Sequence, residues 1–220
     1  MAVTIALEDG RIVSCLLKLP REPFACLVLA HGAGAGMAHP FLERVASGLA
    51  ERQVATLRYQ FPYMERGSRR TDPPRIAQAT VRATVGAAER LVPGVPLFAG
   101  GKSFGGRMTS QAQAESPLPG VRGLVFLGFP LHAPGKAGDE RGRHLEDVRV
   151  PMLFLQGTRD DFAGLDLLRP LVQRLGARAT LTLIPEADHS FHVPARTGRR
   201  DDEVLAGMLE AVAAWCAARL

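Results

Sequence analysis

Six short apolar runs recur along the chain, at residues 24–30, 54–61, 121–129, 152–156 and 180–184 and in a run that starts at residue 95 and ends in Gly101-Lys102-Ser103-Phe104-Gly105. Each is short and continuous, the pattern of a strand covered on both faces. Between them apolar residues return at 3.6-residue spacing. Phe41, Leu42, Val45, Ala46, Leu49 and Ala50 trace one predicted helix behind Pro40, and Ile76, Ala77, Thr80, Val81, Thr84, Ala87, Ala88 and Leu91 trace another. Val204, Leu205, Met208, Leu209, Val212, Trp215 and Cys216 form a third stripe, which makes Trp215 a core residue. A helix is expected from Ser103 to Glu115, and a short one after Asp166 that stops at Gly176. Residues 4–7 and 13–19 read as a hairpin across Asp9-Gly10. Asp72, before Pro73-Pro74, and Asp202 are read as helix caps, while 62–74 and the stretch from 129 to about 148 are read as loops. Strands alternating with helices specify a mostly parallel, twisted sheet of about eight strands with helices on both faces.

No linker, repeat or low-complexity tract interrupts the pattern. Residues 1–220 are therefore expected to form a single α/β domain, with the hairpin of residues 1–20 at the sheet edge and no room for a separate cap domain. The net charge is +5, and only Lys18, Lys102 and Lys136 of the 27 basic residues are lysines. Arginines are spread among acidic residues rather than gathered on a recognisable module, so no nucleic-acid partner is expected; a preference for anionic substrates stays open. Cys15, Cys26 and Cys216 are widely spaced and odd in number, which fits no disulfide framework and suits a reducing, cytoplasmic location. No secretory signal opens the chain, and the uncharged stretch 23–42 holds His31, His39, two prolines and three glycines, so no membrane association is expected.

The chemistry begins at Gly101-Lys102-Ser103-Phe104-Gly105, a G-x-S-x-G in strand–turn–helix context. Such a turn lifts the serine hydroxyl above the carboxyl end of a strand, where ligands bind in parallel sheets. Gly101-Lys102-Ser103 also resembles the end of a phosphate-binding loop, but that loop would need glycine where Pro96 stands. A serine needs a base, and the base needs an orienting acid. The strand at 152–156 runs into Gly157-Thr158-Arg159-Asp160-Asp161, and the strand at 180–184 into Glu186-Ala187-Asp188-His189. We assign Ser103 as nucleophile, Asp160 as acid and His189 as base, with Asp161 and His192 as the alternative acid and base. The oxyanion donors are the backbone N–H groups of Phe104 and, in the loop His31-Gly32-Ala33-Gly34, of Ala33, with Gly34 as the alternative. His31 itself is expected to hold that loop by hydrogen bonding. A zinc site from His189 and His192 with Asp160 or His31 would leave the serine turn unexplained.

Six blocks in order, His31-Gly32-Ala33-Gly34, Phe61-Pro62-Tyr63, Gly100 to Arg107, Phe129-Pro130-Leu131-His132, Leu155 to Asp160 and Ala187 to Phe191, resemble the small α/β-hydrolases of the testis-expressed-protein and NSL-complex-subunit type, related to dienelactone hydrolases. The resemblance spans essentially the whole chain. It implies the α/β-hydrolase fold with Ser103, Asp160 and His189 as triad, although relatives often carry proline where this chain has Asp161. Some members are presumed serine hydrolases and others serve as subunits of complexes, so a catalytically silent binding or scaffold protein is the alternative reading.

The expected activity is cofactor-free, metal-free cleavage of an ester or similar acyl bond in a small-molecule substrate, by a monomer or homodimer. The site is expected to be shallow and open, with substrate-binding walls from Met37, Phe61, Tyr63, His132, Phe162 and Phe191.

Overall fold

The computed structural model describes residues 1–136 and 138–220. Its eight strands form one sheet: β1 (Ala2–Ala6), β2 (Ile12–Lys18), β3 (Ala25–Ala30), β4 (Val54–Tyr59), β5 (Leu97–Lys102), β6 (Val121–Leu127), β7 (Met152–Gly157) and β8 (Ala179–Ile184). Their spatial order is β1-β2-β4-β3-β5-β6-β7-β8. The β1–β2 and β2–β4 pairs are antiparallel and all others parallel, so the leading hairpin is the sheet edge. Gly10 closes that hairpin at φ +83°, a conformation that favours glycine.

Among the described residues six α-helices accompany the sheet: α1 (Pro40–Glu51), α2 (Pro62–Glu65), α3 (Pro74–Leu91), α4 (Phe104–Glu115), α5 (Leu165–Leu175) and α6 (Asp201–Ala217). Alternation along β3 divides the core between the two faces. Leu27 and Leu29 point with Leu42, Val45 and Leu49 of α1 and Val204, Met208 and Val212 of α6, and Trp215 packs there at 5.8 Å from Phe98. Cys26, Val28 and Ala30 point the other way, with Val81 of α3, Met108 of α4 and Leu171 of α5. Both faces of the inner strands are thus dry, the reason their sequences read as unbroken apolar runs.

The structure corrects four local expectations. The strand read as 54–61 stops at Tyr59 because Pro62 opens the four-residue α2 inside the presumed loop. Asp72 does not cap α3, whose N-cap is Pro73. Its buried carboxylate accepts the Tyr63 N–H of α2 at 2.8 Å and pairs with Arg66. α6 begins one residue before Asp202, which pairs with Arg44 instead, and the Arg200 N–H is met by Glu203. Finally, a 3₁₀ helix at Glu140–Asp147 occupies the loop after β6 and brings His144 within 2.7 Å of Ser110 Oγ.

Topology places the site. The chain leaves β3 toward β4 and leaves β5 toward β6, so the loops after these adjacent strands diverge and open a crevice at their carboxyl ends.

Candidate active site

β5 ends at Lys102, α4 begins at Phe104, and the single residue between them, Ser103, has φ +50° and ψ −114°. A serine in that region costs about 1–3 kcal/mol and persists only where the surroundings enforce it. The flanking glycines show the enforcement. A Cβ on Gly101 would sit 2.5 Å from Ala30 O, and one on Gly105 would sit 2.6 Å from both Ala30 Cβ and His31 O. The elbow is pressed against the end of β3, and only glycine permits that approach.

The turn aims Ser103 Oγ at His189 Nε2, 2.9 Å away, and His189 Nδ1 lies 2.7 Å from Asp160 Oδ2. An ionised carboxylate only accepts, so the proton sits on Nδ1 and donates to Asp160. Nε2 is then left with a lone pair for the Ser103 hydroxyl. Asp160 is 5% exposed and its carboxylate is also met by Gln156 Nε2 at 2.5 Å and by the Phe162 N–H at 2.8 Å. Gln156 in turn accepts the Phe129 N–H at 2.8 Å. The Phe162 ring lies over the His189 ring, centroids 4.2 Å apart, and restricts its rotation.

Of the alternatives left open by the sequence, Asp161 is exposed and accompanies neither Ser103 nor His189. His192 is also exposed, with Nδ1 at 2.8 Å from Asp201. The Gly34 N–H already donates to Tyr63 Oη at 3.0 Å. Ala33 lines the cleft, and the Phe104 N–H lies at the first turn of α4, where the helix dipole is positive.

The cleft around these groups has a volume of about 300 Å³ and is lined by Gly32, Ala33, Phe41, Leu42 and Phe162 beside Ser103 and His189. Phe162 lines this cleft, and the other five expected wall residues are not among its lining. Phe61 and Tyr63 are fully buried and support the loop after β3 from behind. Phe61 donates its N–H to His31 Nε2 at 3.1 Å, and its ring packs on Phe104 at 5.4 Å. Met37 is tied down through its backbone by Gln60 and Arg58. His132 accepts the Gly164 N–H at 3.3 Å, holding the loop that carries Phe162. Phe191 is buried and stacks on Phe41 at 5.9 Å. Phe61, Tyr63 and Phe191 are thus buried away from the cleft, while Met37 and His132 are half-buried and held outside it by hydrogen bonds.

His31 is wholly buried, with Nδ1 at 2.7 Å from Gly32 O. Nε2 accepts a backbone N–H, so the ring is neutral, and burial lowers its pKa to about 4. Burial likewise lowers His144 to about 4, with Arg107 adding repulsion.

Gln156 and Lys102 are among the polar residues at the site that sequence reasoning missed, as are His39 and Ser190 of the cleft lining. Gln156 had one signal, a polar side chain ending an otherwise apolar strand four residues before Asp160. Lys102 stood in the sequence only as a variable position of the serine turn and as part of a false phosphate loop. The start of α1, with Phe41 and Leu42, was assigned to the core and forms a wall as well.

No helix among the described residues is long and apolar enough to cross a membrane. The architecture resembles several solved structures. A dienelactone hydrolase from Anabaena variabilis matches with TM-score 0.79 and 20% identity over 100% of this chain and 97% of its own. A serine hydrolase without lid from Xanthomonas campestris matches with TM-score 0.76 and 20% identity, over 98% and 94%. The esterase domain of a Rhodothermus marinus protein matches with TM-score 0.73 and 19% identity, over 98% and 96%. At these identities the likeness is one of fold. A family model described as an alpha/beta hydrolase domain matches residues 23–217, nearly the full length, and the chain belongs to the alpha/beta hydrolase family.

Proposed function

We propose that this protein is a serine hydrolase that cleaves an ester or related acyl bond through a covalent acyl-enzyme. The observation that carries the reading is the continuous relay from Ser103 Oγ through His189 to Asp160, at 2.9 and 2.7 Å, built on a strained elbow. Strain of this kind has no use in a packed core and is stored where it aims a reacting group.

In the first half-reaction His189 Nε2 takes the Ser103 proton as Oγ adds to the substrate carbonyl. Charge developing on the carbonyl oxygen is met by the N–H groups of Ala33 and Phe104. Asp160 stabilises the imidazolium and holds its tautomer while remaining ionised. The imidazolium then gives its proton to the leaving oxygen, whose bond to the acyl carbon breaks. Water, deprotonated by His189, releases the acyl group from Ser103 and restores the serine hydroxyl. All the groups used are side chains or backbone of this chain, and the reaction draws on no cofactor.

The apolar walls from Phe41, Leu42 and Phe162 and the modest, open cleft favour small acyl groups over long lipid chains. A dienelactone hydrolase and an esterase domain among the similar structures are in keeping with ester-bond chemistry. Within the family we place the chain with the small testis-expressed and NSL-subunit type, as a cytoplasmic, single-domain enzyme acting on a small molecule. A fluorophosphonate probe tests the reading. Covalent labelling that vanishes in Ser103→Ala supports it, and folded wild-type protein that never labels would establish the silent-scaffold reading instead. A panel of p-nitrophenyl esters, thioesters and lactones then ranks the acyl groups.

A further inference from the structure

Lys102 sets an ammonium beside the candidate site, bonded to a backbone carbonyl. It lies at the end of β5, beside Ser103, and its ammonium runs past Gly32 to donate to His189 O at 2.6 Å. The same Nζ stands 5.3 Å above the face of Phe191. Among the described residues no carboxylate comes within ion-pair distance of it. Burial lowers its pKa to about 8 against the opposing pull of Asp160 and Asp188. Withdrawing an ammonium from water without an ion-pair partner is unfavourable, and a methionine of nearly the same shape would pack there at no such cost. Such exceptions gather where a site needs them.

The segment that Lys102 holds is fastened at several points, and Lys102 supplies the one at the carbonyl of His189. It follows β8 and contains two non-glycine residues with left-handed backbones, Glu186 at φ +61° and Phe191 at φ +64°. It lies directly on the end of β7, where a Cβ on Gly157 would come within 2.3 Å of Ala187 O. The Arg159 N–H fixes Ala187 O and the Asp188 side chain fixes the Ser190 and His192 N–H groups, but the carbonyl of His189 is met by Lys102. The contact spans 87 positions in sequence and ties the residue carrying the base to the residue preceding the nucleophile.

We propose that Lys102 is a positioning residue, whose ammonium clamps the backbone of His189 and the face of Phe191 so that the imidazole meets Ser103 and Asp160 together. This rests on the hydrolase reading for its effect on rate, though not for its effect on geometry. Lys102 touches no reacting atom. It acts by fixing where the base stands, and small displacements of a base are costly because proton transfer needs a heavy-atom separation of about 3 Å.

The test compares wild type with Lys102→Met, which keeps the stem and removes donor and charge, and Lys102→Gln, which keeps a donor. The first readout is the downfield proton resonance of the His189–Asp160 hydrogen bond, which needs no turnover. We expect it sharp in wild type, broadened or lost in Lys102→Met, and at least partly recovered in Lys102→Gln. The second is turnover of a p-nitrophenyl ester, where Lys102→Met should lose roughly 10–100-fold in kcat with KM changed less than about threefold. Added ethylammonium should restore part of the rate to Lys102→Ala, and ethanol at equal concentration should not. An unchanged resonance in folded Lys102→Met overturns the clamp. A fall in thermal stability with resonance and kcat intact also overturns it, by showing the lysine to be merely structural. Wild-type protein that shows the resonance but neither labels with fluorophosphonate nor turns over sinks the hydrolase reading separately, while the resonance comparison still decides the clamp.

Discussion

Gln156 and Asp160 are joined by a 2.5 Å hydrogen bond from the side-chain amide to the same carboxylate oxygen, Oδ2, that faces His189. The other end of that amide accepts the Phe129 N–H, so one buried side chain ties the acid to the exit of the neighbouring strand. Replacing Gln156 with leucine strands a buried N–H and frees the carboxylate to turn. The expected outcome is a loss of about 1–3 kcal/mol in unfolding free energy by urea titration. A fall in kcat of order tenfold or more should accompany it, within the range that an oriented base supplies. Stability lost without any change in kcat would separate Gln156 from the reaction.

Asp160 and Asp161 are adjacent in sequence and opposite in circumstance, one buried among three donors and the other in solvent. Asparagine at 160 can donate to Nδ1 and so stabilises the wrong imidazole tautomer. Asp160→Asn should therefore reduce kcat/KM by about 10⁴-fold, and Asp161→Asn by no more than a few-fold. Rates with one ester substrate decide, and the reverse order would move the acid to Asp161.

The strain at Ser103 makes a prediction about stability that activity cannot. Glycine relieves the φ of +50° but loses more chain entropy on folding, by about 0.5–1 kcal/mol, against strain of about 1–3 kcal/mol. Ser103→Gly should consequently be inactive and roughly 1 kcal/mol more stable than Ser103→Ala, which keeps a Cβ in the same conformation. Equal urea midpoints for the two variants would remove strain from the account of the elbow.

His31 sets an acid limit on the fold. Its folded pKa lies near 4, below the ordinary value of 6.5, so between those values the unfolded chain binds a proton that the folded chain refuses. The stabilisation from neutral His31 is complete above pH 6.5, is lost as pH falls toward 4, and reaches on the order of 3 kcal/mol. His144, lowered for the same reason, acts in the same window and direction. Urea midpoints at pH 7, 5.5 and 4.5 should decline accordingly, and the slope should lessen in His31→Gln. A slope unaltered by that substitution would show that other groups govern the decline.

Much of this molecule was legible along the chain because the inner strands are buried on both faces. β3, β4 and β7 have no water-facing side chains, so burial alone dictated an unbroken apolar run and made them visible. Trp215 was readable as core for the same reason, one stripe facing one sheet. Where a choice depended on a partner distant in sequence, the reading went astray. Asp72 looked like the cap of the helix beside it, and only folding revealed a bare N-terminus at Tyr63 to compete for it. Phe61, Tyr63 and Phe191 were expected to wall the cleft and are buried instead, because sequence carries no information on whether a ring turns toward the cleft or the interior.

The sequence by itself determined the strand–helix alternation, the glycines that let the elbow press against β3, and a serine, an aspartate and a histidine after three different strands, in that order. These follow from local sterics and from periodic burial, which neighbouring residues encode. The tertiary structure alone decided that Asp160 rather than Asp161 faces His189, that Tyr63 occupies the Gly34 N–H and leaves Ala33 free for the cleft, and that Lys102 reaches the carbonyl of His189. Each of those is a competition among hydrogen-bond donors and acceptors gathered from different strands, and its outcome exists only once packing has removed the water that would otherwise satisfy them all.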